Sequence, residues 1–400
     1  MKLLSTKLEK VRISETAKIK NLVAAKESIG EKVLSLSVGE PDFKTPANII
    51  DSAKQALNNG LTKYTSTDGI IKLKETIKTK YTLENHLDYD LDQIIVCSGG
   101  KQVIFNAFVS TLNPADEVII PAPFWVSYPE IVKLCEASPI IVDTKISNDY
   151  KLTAAELELA ITTKTKWIII NSPSNPTGSV YSPTELSKIC EVLKKYPKIN
   201  ILSDDIYEHI IFEKKTFSNI VQIDESFKNR TLLVNGVSKS YAMTGWRIGY
   251  GVGAPYLIEA MTTVQSQSTS NATSISQYAA IEAISNSNSF IEKNKKIYQT
   301  RRDQMLKIFA DSKNIITPKP MGAFYALPSI EPVIGKKTKT GVIINNDIDF
   351  TEELLKQTNV AVVPGSAFGS PNSFRISYAV SEKILQKGCS LIIKFLNNLK

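Results

Sequence analysis

The sequence predicts an α/β protein: a larger domain built as a three-layer, mostly parallel sheet, and a smaller α+β domain assembled from both chain ends. Three observations predict it. Short apolar runs alternate with helical patterns through the middle of the 400 residues. Those runs are apolar throughout, as in strands covered on both faces. The two ends differ from the middle, with long charged helical stretches dominating after about residue 280.

The elements follow in order. Residues 1–45 hold one helix, with Ile19, Leu22 and Val23 on its face and Gly30 as its stop, then an extended Val33-Leu34-Ser35-Leu36. Thr45-Pro46 starts a helix that turns Ile49, Ile50, Ala53 and Leu57 inward. Ile94–Cys97 is a strand ending in Ser98-Gly99-Gly100, and a helix follows with Val103, Ile104, Ala107, Phe108 and Leu112 on one face. Val118–Ile120 is a second strand, stopped by Pro121, and Trp167–Ile170 is a third. Ser182-Pro183-Thr184-Glu185 is a capping box with proline at the first helical position, opening a helix through Leu186, Ile189, Cys190 and Leu193. Ile199–Leu202, Leu232–Val234 and Ile248–Val252 complete the strands of the larger domain. A terminal helix follows Ser381, and the polar, Lys/Asn-rich residues 331–349 form a surface excursion. The expected division is 1–45 and 281–400 for the smaller domain, and 46–280 for the larger.

Composition narrows the function classes. The chain is 42% hydrophobic and 22% charged, an ordinary globular balance. No apolar run approaches the ~20 residues that span a bilayer, and the start becomes charged too soon for a signal peptide. The expected location is the cytoplasm, with Cys97, Cys135, Cys190 and Cys389 as scattered reduced thiols. Net charge is +8, which suits steering of anionic small molecules. The lysines are dispersed and no basic helix carries interleaved aromatics, which argues against nucleic-acid binding. Only His86 and His209 are present, which argues against a His-ligated metal and against a Ser-His-Asp triad. His86 is expected exposed, and His209 as packing near a strand end.

In a parallel sheet, ligands bind beyond the carboxyl ends of the strands. Ser98-Gly99-Gly100, Asn175, Asp204 and Lys239 each fall just after a strand and are therefore expected to converge. Lys239, in Gly236-Val237-Ser238-Lys239-Ser240-Tyr241-Ala242-Met243-Thr244-Gly245-Trp246-Arg247, looks like the Schiff-base segment of a pyridoxal 5′-phosphate enzyme. Such chemistry needs an acid for the pyridine nitrogen, donors to the ring oxygen, a phosphate cup, a stacking surface and a carboxylate clamp. Each has a candidate: Asp204 for the acid, Tyr207 and Asn175 for the ring oxygen, and Trp125 for stacking. Ser98, Gly99 and Gly100 at a helix N-terminus, with Arg247, suit the phosphate. Arg375 stands in a strand-like run with few charges and suits a substrate carboxylate. Gly39 allows backbone to approach a ligand closely.

Together these segments resemble the class I aminotransferases, fold-type I pyridoxal-phosphate enzymes of the aspartate aminotransferase superfamily. The motifs are SVGEPDF, TKYTSTDG, SGGKQVIFN, PAPFWVSYPE, NSPSNPTG, SDDIYEH, SKSYAMTGWRIGYG and FRISYA, in the family's order, and the resemblance covers nearly the whole chain, from about residue 8 to the end. The set is most similar to the bacterial branch Ib, some of whose members also transaminate prephenate. The resemblance implies that Lys239 is the catalytic Schiff-base lysine and that Asp204, Tyr207, Asn175, Trp125, Arg247 and Ser98 to Lys101 hold the cofactor. It implies that Tyr64 reaches the neighbouring subunit's phosphate, hence a homodimer with shared sites. Gly39, Trp125, Asn175 and Arg375 would contact substrate, with Lys101, and Arg12 in the N-terminal segment, as basic contacts for the distal carboxylate. The implied reaction is amino transfer between L-aspartate and 2-oxoglutarate, with prephenate as a further substrate. An aminotransferase of aromatic or broad specificity, or a non-transaminating fold-type I enzyme, stays open, because the cofactor cup is shared.

Overall fold

A computed structural model describes residues 5–11, 15–213 and 215–400. Among the described residues, twelve strands fall in three sheets. In chain order they are β1 (Leu34–Ser35), β2 (Ile94–Cys97), β3 (Glu117–Ala122), β4 (Ser138–Asp143), β5 (Thr165–Asn171) and β6 (Asn200–Asp204). Then come β7 (Thr231–Gly236), β8 (Gly249–Val252), β9 (Tyr325–Ala326), β10 (Val360–Ala361), β11 (Val363–Pro364) and β12 (Phe374–Ser377).

The main sheet runs β2-β8-β7-β6-β5-β3-β4. Every strand but β8 points the same way; β8 is antiparallel to both neighbours. Side chains on successive positions leave opposite faces, and the packing follows that rule. Val118, Ile120, Trp167, Ile169, Leu202, Leu232 and Val234 pack in one cluster with Val103, Ile104 and Phe108. Ile119, Ile168, Ile170 and Ile201 pack on the other side with Leu186, Ile189 and Leu193. Both faces are covered, so the strands are apolar on both sides. This is the predicted three-layer α/β architecture.

Local signals mostly hold. Ser182 Oγ accepts from the Glu185 amide and the Glu185 side chain accepts from the Ser182 amide, closing the capping box on the helix Pro183–Lys194. Several readings change. Strand β3 continues through Pro121 instead of stopping there; its pairing with β5 reaches only Ile119, so beyond that point the missing N–H of proline leaves no gap in that ladder. Strand β4 is not predicted at all. It is an edge strand holding Pro139, and its apolar Ile140-Ile141-Val142 is only partly covered. In the helix Ala47–Asn58, Ile49, Ala53 and Ala56 are buried while Leu57 faces outward.

The chain ends meet. Strand β1 pairs in parallel with β10, and Leu36 accepts from the Ser377 amide at the end of β12. Leu36 packs in a cluster with Tyr298, Phe350, Phe374, Leu385 and Leu396. In the N-terminal helix Glu15–Ser28, Val23 is buried and Leu22 is largely exposed. Residues 331–349 form a mostly exposed excursion anchored by buried Val333 and Ile344. Among the described residues no helix is long and apolar enough to cross a membrane.

Candidate active site

The carboxyl ends of β2, β5, β6 and β7 lie along one edge of the sheet, and the predicted polar clusters meet there. Asn171, the last residue of β5, donates from Nδ2 to the Asp204 carbonyl at 2.9 Å and accepts at Oδ1 from the Asn175 amide at 2.8 Å. The turn carrying Asn175 is thereby fixed to the end of β6. Asp204 is buried. Its Oδ2 accepts from the Tyr128 hydroxyl at 2.5 Å and its Oδ1 from the Ile206 amide at 3.3 Å. Burial pushes the carboxyl up to about 6, with those hydrogen bonds and the charge of Lys239 pulling the other way.

Lys239 follows β7 through Val237 and Ser238. Its Nζ donates to the Gly39 carbonyl at 2.7 Å and lies 6.0 Å from the centre of the Tyr207 ring. Burial holds the amine down to about 8, helped by Arg375 and Arg247 and opposed by Glu40 and Asp204. A lysine so placed is partly neutral near neutral pH, which nucleophilic attack and proton abstraction both require.

Arg375, on β12, is 3% exposed. It donates from Nη1 to Asn175 Oδ1 at 3.0 Å and from Nη2 to the Ser37 carbonyl at 2.9 Å. Its guanidinium lies between the Tyr325 and Phe368 rings, at 4.5 and 4.9 Å from their centres. Its Nε has no partner, and no carboxylate pairs with it among the described residues. A buried guanidinium without a counter-anion is costly; a bound carboxylate would relieve it.

On the other flank, Gly99 adopts φ +91 ahead of the helix Gly100–Thr111. A Cβ there would collide with the Arg247 guanidinium, so only glycine lets Arg247 lie against the helix start. Arg247 donates to the Ser98 carbonyl at 3.3 Å and to the Thr244 carbonyl at 2.9 Å. Trp125 is half-buried and meets Tyr128 edge to face at 5.3 Å. Lys101 Nζ sits 5.0 Å over the Trp125 ring. A cavity of about 520 Å³ opens beside this flank, lined by Ser98, Lys101, Arg247, Phe105 and Glu130 among others; neither Lys239 nor Asp204 lines it.

Lys239, Asp204, Tyr207, Asn175, Arg375, Gly39 and Trp125 are thus drawn toward one edge, with Ser98, Gly99, Gly100, Lys101 and Arg247 on its flank. Tyr64 is not brought in: it is 89% exposed. Arg12 lies outside the described residues. His86 is exposed as expected, and His209 bridges Ser240 Oγ at 3.0 Å and Glu84 Oε2 at 2.8 Å. Sequence reasoning missed Tyr128 and Tyr325. Tyr128 stands three residues after Trp125 in a motif already singled out, one helical turn away; that spacing was the available signal. Tyr325 carried none.

The family described as "Aminotransferase class I and II" matches residues 31–392. The chain belongs to this family. Its relatives include a probable aspartate/prephenate aminotransferase of Rickettsia bellii, 50% identical over 97% of this chain and 98% of that protein. The aspartate/prephenate aminotransferase of Cereibacter sphaeroides is 48% identical over 99% of both chains. Among solved structures, the aspartate aminotransferase of Rhizobium meliloti superposes with a TM-score of 0.97 at 43% identity, each chain fully covered. That of Thermus thermophilus, solved with maleate, gives 0.92 at 35% identity, covering 99% of this chain and all of the other. This aminotransferase carries its candidate lysine, acid and buried arginine where the parallel strands end, and membership of the family implies pyridoxal phosphate as cofactor.

Proposed function

We propose that this chain exchanges amino groups between L-aspartate and 2-oxoglutarate, giving oxaloacetate and L-glutamate, with pyridoxal 5′-phosphate as cofactor. We infer prephenate as a further amino acceptor, giving arogenate. The observation that carries the reading is Arg375, buried, free of any carboxylate partner among the described residues and tied to Asn175. An α-carboxylate is the anion it lacks. The aspartate and prephenate in the relatives' names support the substrate class, as does maleate, a dicarboxylate, in the Thermus thermophilus structure.

The residues fit the cofactor. Asp204 supplies a buried acid able to pair with a pyridinium, Tyr207 and Asn175 supply donors, and Trp125 a flat face. The start of the helix Gly100–Thr111 and Arg247 supply amide and guanidinium donors for a phosphate. When bound, pyridoxal phosphate supplies an electron sink that stabilises negative charge on the substrate α-carbon. The rest falls to the protein. Arg375 fixes the α-carboxylate, and with it the α-carbon relative to Lys239. The Lys239 amine, its pKa near 8, takes the α-proton and later returns a proton as acid. Lys101 and Arg12 are the proposed partners of the distal carboxylate.

We further propose that residues 1–45 and 281–400 act as one smaller domain closing on 46–280 and excluding water. The β1–β10 pairing supports this, as does the origin of Arg375 and Tyr325 in the C-terminal part. Tyr64, exposed in the single chain, fits the proposed homodimer with shared sites.

Borohydride reduction of the protein with its cofactor, followed by peptide mapping, should place the label on Lys239. Lys239→Ala should lose both the visible absorbance and turnover. L-Aspartate should be deaminated with 2-oxoglutarate and with prephenate, and Arg12→Ala should raise KM for the acceptor. A label on another lysine ends the reading.

A further inference from the structure

A contact at this edge that the family reading leaves unused joins two phenols. The hydroxyls of Tyr207 and Tyr325 are 3.0 Å apart, and each is the other's hydrogen-bond partner among the described residues. Both are buried, and their rings meet edge to face at 5.8 Å. Tyr325 sits on β9, in register with Ser377 of β12, two residues from Arg375. Its hydroxyl also lies 3.3 Å from where a Cβ on Gly39 would stand, and the Gly39 carbonyl receives Lys239 Nζ. One side chain thus touches the surroundings of Tyr207, Arg375 and Lys239 together.

We propose that Tyr325 is a positioning residue for cofactor and catalysis, donating its proton to the Tyr207 oxygen so that the Tyr207 proton is aimed at the cofactor ring oxygen. The proposal rests on the cofactor reading above. A phenol has a single proton and can accept as well as donate. If Tyr207 donates to a bound ring, it meets Tyr325 only as acceptor. The neighbours favour that polarity. The Arg375 cation lies 4.5 Å from the Tyr325 ring centre and draws electron density from it. Burial raises both phenols, Tyr207 well above its ordinary value and Tyr325 less; Arg375 pulls both back, as the leading influence against burial on Tyr325 and a lesser one on Tyr207. The more acidic phenol is the better donor. Donation into Tyr207 in turn strengthens the bond that Tyr207 makes, since hydrogen bonds in a chain polarise one another. The other charged groups acting on the pair are Asp204 on Tyr207 and Glu40 on Tyr325, with Lys239 over the Tyr207 ring.

A donor at the ring oxygen favours the form in which the Lys239 nitrogen has lost its proton. The readout is therefore the pH midpoint of the visible absorbance of the holoenzyme, which a purely structural role would not move. Tyr325→Phe should raise that midpoint by about 0.5–1 pH unit, the counterpart of one hydrogen bond. Tyr207→Phe should raise it further, and the double variant should match Tyr207→Phe alone. 3-Fluorotyrosine at position 325 keeps shape and hydroxyl but is more acidic, and should lower the midpoint, which covers the case of a Phe variant that does not fold. A Tyr325→Phe midpoint equal to wild type, shifts that add in the double variant, or a fluorotyrosine shift upward would each overturn the proposal. Failure of the cofactor reading is separate: the wild-type protein would then have no such band.

Discussion

Asp204 is held in a state the solvent would not choose. Its carboxyl ordinarily titrates at 3.8 and burial lifts it to about 6. Between those values the cofactor-free folded protein keeps a proton that the unfolded chain releases. Stability contributed by Asp204 is therefore complete below about pH 4 and is lost as pH rises through about 6. At pH 7 the charged group costs roughly 3 kcal/mol. Asp204→Asn should accordingly make the cofactor-free protein more stable at pH 7, with the difference vanishing toward pH 4, while amino transfer falls by orders of magnitude. Urea melts at both pH values check this; equal stability at pH 7 would show that burial does not set this carboxyl. Tyr128 works against that burial through its 2.5 Å bond. Tyr128→Phe should push Asp204 higher still, lower kcat roughly tenfold at neutral pH, and move the acid limb of the kcat profile upward.

The strand, turn and helix around Gly99 show what an element adds to its residues. The antiparallel pair of β2 with β8 brings Gly249 against Gly99 and Gly100, where a Cβ at Gly249 would strike their backbone. Arg247, itself left-handed at φ +56, then lies over Gly99. Gly99→Ala faces both a positive φ and the guanidinium, a combined cost of ~1–3 kcal/mol. It should weaken cofactor binding about tenfold or more, followed by spectral titration of the cofactor-free protein, with a lowered melting temperature. A glycine cluster of this kind was legible in the sequence only as a candidate helix start; that three glycines share one crossing required the strand order. Strands β2, β5, β6, β7 and β8 were legible because burial on both faces demands uninterrupted apolar residues. Edge strand β4 carried an apolar run too, Ile140-Ile141-Val142, but Pro139 directly before it argued against a strand, and only at an edge is that proline tolerated. In the helix Ala47–Asn58, hydrophobicity pointed to Leu57 beside the expected Ala53, yet Ala56 is buried in its stead. Ala53 packs in a cluster with Ala279, Ala280 and Ala283, so close helix approach selected small side chains over large ones.

At the scale of the whole molecule, the site draws on segments some 340 residues apart, from Ser37 to Arg375. Motif spacing identified most of the parts, because Ser98 to Gly100, Asn175, Asp204 and Lys239 obey the local rule of lying at or past a strand end. It could not identify contacts such as Tyr207 with Tyr325, which arise only when the C-terminal sheet is laid against the main one. Tyr64 is the remaining test. A tyrosine 89% exposed, with no place in the site of its own chain, is either idle or serves another copy. In a twofold dimer with shared sites, each site takes its Lys239 from one chain and its Tyr64 from the partner. Mixing Tyr64→Ala protein with Lys239→Ala protein, under conditions that exchange subunits, then creates hybrids with one native site and one doubly defective site. Random pairing of equal amounts should restore roughly a quarter of wild-type sites, read as activity well above the sum of the separate variants. If Tyr64 served its own chain, no hybrid would hold a native site, and mixing would recover nothing.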